Sequence, residues 1–213
     1  MRLLFDLLLV LFAGFWLFQV SRGIRRSLKR GEKTNWVVAA MGLLVLTGFG
    51  GFFAAALAAE GILKLPNSFE WPAGYVEGVK TLPDGKSVVP LEPSGRLQIY
   101  DPNWRFLRGW HVDAHAGRFR VECPSSGLIE VYTGRGNHHY TYKENGQMVS
   151  SMTYSEGFSW PPEEGSYIVV PTTPIGWVFS SPFISWSAGV LGFIGLALVK
   201  KFTNRTANQS VRP

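Results

Sequence analysis

The residue types best suited to chemistry stand close together, at positions 111–115 (His-Val-Asp-Ala-His). Successive side chains on a β-strand point to opposite faces, so on a strand His111, Asp113 and His115 would share one face. Imidazole and carboxylate groups are suitable ligands for zinc and similar ions. The spacing therefore predicts a metal site formed by these three residues. A solvated loop between two folded units is the alternative interpretation.

The rest of the sequence carries no recognisable catalytic motif. It contains no Gly-x-Ser-x-Gly, no His-Glu-x-x-His and no phosphate-binding glycine loop. His138 and His139 are adjacent, and neighbours on a strand face opposite sides, so we do not expect them to chelate one ion together. Cys123 is the only cysteine, so no disulfide can form within the chain, and we expect a buried, inert thiol.

The candidate residues lie inside a stretch of the chain that contains an internal repeat. Shifting residues 79–110 by 42 positions aligns them without gaps on residues 121–152. Identical residues meet at five positions: Val79 and Val121, Gly85 and Gly127, Val89 and Val131, Tyr100 and Tyr142, and Asn103 and Asn145. Turn-forming residues coincide as well, and apolar residues alternate between the turns. We therefore predict two units of short antiparallel strands, with the repeat length typical of a β-propeller blade.

The end of the first unit resembles a repeat of the NHL-type β-propellers. Residues 96–102 (Arg-Leu-Gln-Ile-Tyr-Asp-Pro) follow the order of Arg, apolar, Gln, apolar, aromatic, Asp and turn that those repeats show. The second unit is a looser match. Its residues 127–131 resemble the Gly-x-Ile-x-Val strand, but Thr133 stands in place of the usual Asp and His138 in place of the Arg. The resemblance covers about residues 75–155 and implies a blade-like architecture without implying an activity.

Two blades are too few to close a propeller, which usually has about 4–8. Because a blade packs on neighbours through both faces, two blades alone would leave two apolar faces open. Three arrangements follow. Identical or related chains could complete a ring, the two units could fold against each other as a small β-sandwich that docks on a partner, or the β-domain could stand alone under loops and lipid headgroups. The expected partners are the lipid bilayer and either further copies of the chain or other membrane-complex subunits.

Three long apolar segments predict membrane-spanning helices, because about 20 apolar residues are needed to cross a hydrocarbon core about 30 Å thick. The first, residues 3–20, contains one charge, whereas residues 36–59 and residues 175–199 contain none. The first segment could instead be a cleaved signal peptide. However, it is longer than the apolar core of about 7–15 residues usual for signal peptides, and a basic segment follows it.

Charge predicts the orientation of these helices. Residues 21–35 contain six basic residues and one acidic residue, and the tail after residue 199 contains four basic residues and no acidic one. Short loops rich in Lys and Arg stay cytoplasmic, so both segments are cytoplasmic if the N-terminus lies outside. Residues 65–174, with nine basic and twelve acidic residues, would then be extracytoplasmic. Because the net charge of +6 comes from the two short segments, we expect no nucleic-acid partner.

The sequence as a whole predicts a fold class of membrane α plus all-β, with three transmembrane helices and an extracytoplasmic β-domain of two blade-like antiparallel units. The predicted regions are 1–64, which holds two helices and the basic loop, 65–172, which forms the β-domain, and 173–213, which holds the third helix and a basic tail. The predicted location is the plasma (inner) membrane, with a multi-pass topology and a cytoplasmic C-terminus.

The predicted function is non-enzymatic. The chain would present an interaction domain outside the membrane, as a structural or accessory subunit of a larger complex or homo-oligomer. The alternative is a metal-dependent enzyme or ligand sensor that uses residues 111–115. No cofactor is predicted.

Overall fold

Within the residues that it describes, the structure, a computed structural model, contains two long helices, two four-stranded antiparallel sheets and a two-stranded ladder. The residues it describes are 11, 14–15, 18–19, 21–23, 25, 35–63, 65–155, 168–170 and 181–209. Most of the predicted first span and of the basic loop after it lies outside these residues. The chain divides into two compact units, one of Met1–Phe53 and Pro182–Pro213 and the other of Ala54–Ser181.

Two apolar helices, α1 (Asn35–Ala59) and α2 (Pro182–Gln209), contribute to the first unit. Both are long and apolar enough to cross a membrane, over Trp36–Ala59 and Pro182–Phe202. Helix α1 carries no charged residue, which fits apolar surroundings on all sides. Pro182 is the first residue of α2, where its missing N–H costs no helical hydrogen bond.

The two helices contact each other through glycine. A methyl group added at Gly48 would overlap the backbone of Gly189, and one added at Gly192 would lie 2.8 Å from the carbonyl oxygen of Met41. Ser185, four residues before Gly189, is fully buried. Small residues let apolar helices approach to backbone contact. Ser185 and Gly189 are therefore used for packing within this chain.

The second unit is built on short strands. Their bounds are β1 Tyr75–Val76, β2 Lys80–Thr81, β3 Ser87–Leu91, β4 Arg96–Tyr100, β5 Phe106–His111, β6 Phe119–Glu122, β7 Ile129–Thr133, β8 His138–Tyr142, β9 Met148–Thr153 and β10 Ile168–Val169. Strands β2–β5 form sheet 1 and strands β6–β9 form sheet 2, each with its strands side by side in chain order. Strand β1 pairs with β10.

The two sheets have the same hydrogen-bond register, displaced by 42 residues. Ser87 pairs with Tyr100 in sheet 1, and Ile129 pairs with Tyr142 in sheet 2. The register shift next to Tyr100, between β4 and β5, recurs next to Tyr142, between β8 and β9. The sequence repeat is therefore also a repeat of the backbone, including its β-bulge.

The turns repeat with the same displacement. The turn after β4 and the turn after β8 are closed by equivalent backbone hydrogen bonds of 2.9 Å. Each contains one residue with a left-handed backbone, which is Trp104 (φ 60°) in the first and Gly146 (φ 83°) in the second. Glycine adopts this conformation freely, whereas a residue with a Cβ is strained there. Sheet 1 thus tolerates at Trp104 a strain that glycine relieves in sheet 2.

One hydrophobic core lies between the two sheets. Its fully buried members include Val88, Leu97, Ile99, Ile129 and Val131. Two ion pairs also join the sheets. The Nζ of Lys80 lies 3.2 Å from Glu122, and the Nζ of Lys86 lies 2.9 Å from Glu144.

The other face of sheet 1 is covered by neighbouring parts of the same unit. Tyr100 and Val89 pack there with Ala55 and Ala58 from the end of α1 and with Trp71. All residues of β4 are consequently buried, on both faces of the sheet. Of the two open apolar faces expected for a pair of blades, one is therefore covered by the chain itself.

Candidate interaction surface and histidine pair

A buried polar network ties sheet 1 to the segment that covers it. The side-chain oxygen of Gln98 accepts a hydrogen bond from the Trp71 N–H (2.6 Å), and its amide nitrogen donates to the Trp71 carbonyl oxygen (2.9 Å). The Tyr100 hydroxyl donates to Glu70 (3.0 Å). Burial raises the pKa of Tyr100, so this hydroxyl stays protonated. Because Gln98 and Tyr100 are fully buried, the network supports the fold and offers no open binding surface.

The outer edge of sheet 1, strand β5, is covered by the same segment. The Gly109 N–H donates a hydrogen bond to the Asn67 carbonyl oxygen (2.9 Å). The buried guanidinium of Arg96 donates from Nη2 to the carbonyl oxygens of Pro66 (2.9 Å) and Phe69 (2.7 Å). The Gly109 N–H is therefore not available to another strand, and Arg96 holds the covering segment in place.

The outer face of sheet 2 carries polar and aromatic side chains in a row. Arg120, Tyr132, His139 and Met152 are successive cross-strand partners from β6 to β9. The rings of Tyr132 and His139 are stacked, with centroids 4.3 Å apart and planes within 5°. The Tyr132 hydroxyl donates to Glu130 (2.7 Å), and burial together with this carboxylate raises the pKa of Tyr132. In the residues that the structure describes, this face is mainly polar and differs from the open apolar face expected for the second blade.

Strand β9 is the exposed edge of sheet 2. Met148, Val149 and Met152 each leave more than half of their surface exposed (53%, 52% and 55%). The strand (Met-Val-Ser-Ser-Met-Thr) contains no charged residue and no proline, which are the features that ordinarily protect an edge strand. In the part of the chain that the structure describes, no strand pairs with the outer side of β9. Such an edge can accept an extended segment as an additional strand.

The other edge strands, β2 and β6, are protected by charge. Lys80 of β2 and Glu122 of β6 form an ion pair with each other, and Arg120 also lies on β6. Charged side chains oppose the pairing of a further strand. Of the four edges of sheets 1 and 2 in the described residues, β9 is therefore the open one.

The three predicted metal ligands lie in two different elements. Strand β5 ends at His111, whereas Asp113 and His115 lie in the loop before β6, as in the alternative interpretation. The His111 ring lies against Gly61 and Gly95, so that a Cβ added at Gly61 would be 2.8 Å from its Nε2. Among the described residues, no group of three or more His, Cys, Asp or Glu side chains is arranged to hold a metal ion. The three-ligand site stays a prediction that this arrangement does not favour.

A different histidine lies beside His115. The Nδ1 of His115 is 3.2 Å from the Oδ1 of Asp113, and its ring centroid is 6.1 Å from that of His138, the first residue of β8. The sequence pattern relates His138 to its neighbour His139 and to the Arg that it replaces in the repeat, but it does not relate His138 to His115. The sequence contains no local signal for this pair, because strands β6 and β7 separate the two residues.

Cys123 is a free thiol packed against the core between the sheets. Burial, assisted by the neighbouring Glu122, raises the pKa of this thiol to about 12. The thiolate is the nucleophilic form, and this pKa keeps the thiol protonated at neutral pH. Cys123 is partly buried, and its inertness stays a prediction.

Comparison with known proteins found no family model, no curated protein and no solved structure that matches this chain. The likeness to NHL-type repeats consequently stays a prediction based on the residues quoted above. Sheets 1 and 2 are antiparallel and four-stranded, but they do not form a closed propeller. The function must therefore be inferred from the surfaces of the chain itself.

Proposed function

We propose that this chain is an integral membrane protein whose β-domain is an interaction module outside the membrane, with β9 as its docking edge. The observation that carries the proposal is the exposed, uncharged strand β9 at the edge of an otherwise protected pair of sheets. The two apolar helices are suitable membrane anchors. The module would serve as a structural or accessory subunit of a larger assembly or homo-oligomer.

The orientation in this proposal follows from charge. The basic segments at residues 21–35 and after residue 199 would lie in the cytoplasm, with the N-terminus and residues 65–174 outside the plasma membrane. A cysteine introduced at Ser126, which is exposed in the turn before β7, would report the side of the β-domain. A membrane-impermeant maleimide should label it in intact cells, while a cysteine introduced at Ser27 in the basic loop should stay unlabelled. Labelling only of the Ser27 variant would reverse the orientation.

Strand addition explains how β9 would recognise a partner. Main-chain hydrogen bonds from the free edge supply affinity, and side chains on alternating positions supply specificity. The methionines and Val149 would bury apolar surface on the partner, at about 25 cal/mol per Å² removed from water. A fitting partner segment is therefore extended, apolar and uncharged.

The repeat supplies a matched test of this proposal. Val149 on β9 and Leu107 on β5 are equivalent by the 42-residue shift, and both are exposed (52% and 38%). The edge of β5 is covered, whereas that of β9 is open. In full-length protein purified in mild detergent, Val149→Lys should abolish the co-purification of a partner or the self-association seen by native mass measurement. Leu107→Lys should leave that association intact.

Two results would contradict the proposal. One is a strictly monomeric wild-type particle that co-purifies with no partner. The other is an association that survives Val149→Lys, in protein whose circular dichroism matches that of wild type.

A further inference from the structure

We infer that His115 and His138 form a binding site for one first-row transition-metal ion, of the zinc, nickel and copper class, with water completing the coordination. The site lies between the loop after β5 and the first residue of β8, where His138 is paired with Thr153 at the end of β9. It does not use Met148, Val149 or Met152, the side chains on which the proposed docking rests, so the two proposals can fail separately.

The loop between the sheets holds His115 in place. Val112 and Ala114 of this loop are fully buried, and the Arg135 guanidinium donates a hydrogen bond to the His115 carbonyl oxygen (3.1 Å). The backbone of His115 is left-handed (φ 50°), which is uncommon for a residue with a side chain. Packing and hydrogen bonding thus fix a conformation that presents the imidazole to its neighbours.

The turn between β7 and β8 holds His138 from the other side. The Thr133 hydroxyl accepts a hydrogen bond from the His138 N–H (3.0 Å) and lies 3.1 Å from the Arg135 carbonyl oxygen, to which it can donate. The His138 ring stacks on Tyr140, with centroids 5.5 Å apart. Both imidazoles are therefore positioned by the fold before any ion binds.

The rings of His115 and His138 both lie close to Gly136. A Cβ added at Gly136 would lie 2.9 Å from the Cδ2 and 3.1 Å from the Nε2 of His138, and 3.2 Å from the Cδ2 of His115. In the His115 ring, Nε2 is the atom bonded to this Cδ2. Two imidazoles bound to one ion through bonds of about 2.1 Å have centroids about 5–6 Å apart. The observed 6.1 Å is close to this range.

Asp113 completes the arrangement as a positioning residue. Its carboxylate lies next to the His115 Nδ1 and favours the tautomer with the proton on that nitrogen, which leaves the Nε2 lone pair for a metal. The His115 side chain is 35% exposed, so water can reach the remaining coordination positions. Two imidazole ligands suit zinc, nickel and copper, with Cu²⁺ bound most tightly. Since the described residues provide no third close ligand, the affinity should be modest.

The test is titration of chelator-treated, full-length protein in detergent with Cu²⁺ and Zn²⁺, followed by calorimetry. We expect one equivalent to bind, and we expect His115→Ala and His138→Ala each to weaken the binding of Cu²⁺ at least tenfold. Asp113→Asn should weaken it by about tenfold, the lower end of outer-shell effects. The controls His111→Ala and His139→Ala should bind as wild type does.

The controls make each outcome decisive. A loss of binding in His111→Ala would support the three-ligand set predicted from sequence and overturn the present one. Absence of one-equivalent binding in wild type, or binding that persists in the double variant His115→Ala/His138→Ala, would also overturn it. If an alanine variant unfolds, His138→Gln keeps a polar side chain of similar size and serves in its place.

Discussion

Sheet 1 and sheet 2 share strand order, register, bulge and turn geometry, yet their surroundings differ. Sheet 1 is buried on both faces, and residues 66–69 close its outer edge. Sheet 2 is buried on one face only, and its outer edge is open. Repetition of a backbone therefore does not repeat the environment, because the environment depends on which other segments pack against each copy.

Equivalent positions show how the two copies have diverged. Arg96 is buried and bound to backbone carbonyls, whereas its equivalent His138 stands beside another histidine in a loop-side cluster. Gln98 is bound on both sides of its amide to Trp71, whereas its equivalent Tyr140 reaches the loop between the sheets. In sheet 1, which lies under the covering segment, these side chains stabilise the fold. In the more exposed sheet 2, the equivalent side chains belong to the candidate binding features.

The largest expected difference in stability is between substitutions at Trp110 and at its equivalent, Met152. Trp110 is buried in the core between the sheets and contacts Tyr142, whereas Met152 is 55% exposed. Trp110→Ala should destabilise the β-domain by about 3–5 kcal/mol, as large-to-small core substitutions do. Met152→Ala should change stability by no more than about 0.5 kcal/mol. Denaturant unfolding of the two variants measures the difference, and similar losses in both would contradict the assignment of β9 as an open edge.

The second contrast concerns the polar network of sheet 1. Gln98→Leu would leave the N–H and carbonyl oxygen of Trp71 without their partners, at about 1–3 kcal/mol for each buried group. We expect a loss of at least about 2 kcal/mol. At the equivalent position, Tyr140→Phe removes a hydrogen bond to the Asp113 carbonyl oxygen and should cost about 1 kcal/mol. Equal stabilities of these two variants in denaturant would show that the covering segment is not anchored through Gln98.

Substitutions at two turn glycines of sheet 2 distinguish the cost of backbone strain from the cost of a steric clash between the sheets. Gly127 and Gly146 both have a left-handed backbone, with φ of 75° and 83°. A Cβ at Gly127 meets nothing within 4 Å, whereas one at Gly146 would lie 2.9 Å from the Cε3 of Trp110. Gly127→Ala should cost about 1 kcal/mol from strain alone, and Gly146→Ala should cost more because Trp110 must shift. Melting temperatures in the reverse order would contradict this contact.

The smallest effect on stability is expected for the ion pairs of Lys86 with Asp84 and Glu144. Because these groups are partly exposed, Lys86→Met should lower the melting temperature only slightly, and high salt should reduce that loss further. Lys143 is also exposed to solvent, and the substitution Lys143→Met serves as the control.

The pH dependence of this difference follows from the two pKa shifts. The hydrogen bond from Lys86 lowers the pKa of Asp84. The contribution of Asp84 to folding stability is therefore complete above the ordinary value of 3.8 and disappears as the pH falls through the lowered pKa. The same bond raises the pKa of Lys86, so its contribution is complete below 10.5 and disappears as the pH rises through the raised pKa. The melting-temperature difference between wild type and Lys86→Met should be largest between these limits. A difference that keeps growing as the pH falls below 3 would contradict the pairing.

The sequence predicted the features that depend on neighbours along the chain. The 42-residue shift that aligns Tyr100 with Tyr142 also relates the strand registers, and the apolar segment at 36–59 forms the helix α1. The period-two alternation predicted short antiparallel strands between the turns, and β4 and β5 are paired in this way. These features arise from local turn chemistry and hydrophobic pattern, which the sequence displays directly.

The features that the sequence did not predict depend on distant residues. The cover over sheet 1 rests on the contact of Gln98 with Trp71, which is 27 positions away and lies in a segment without regular secondary structure. The pairing of His115 with His138 depends on where two loops meet. The predicted common face of His111 and His115 required a strand through residue 115, but β5 ends at His111. An alternating pattern cannot show where a strand stops.

The ladder between β1 and β10 brings the beginning and the end of the folded β-region side by side. Tyr75 lies opposite Val169 and Val76 opposite Ile168, and Val170 donates a further hydrogen bond to Gly74. Residues paired in this way have Cα atoms only about 4.5–5.5 Å apart. A circular permutant can therefore join residues close to these two strands through a short linker without stretching the chain. Tension applied to the two flanks would first meet β10 on the C-terminal side, whereas on the N-terminal side it would first meet the hydrogen bonds that residues 66–69 make with sheet 1.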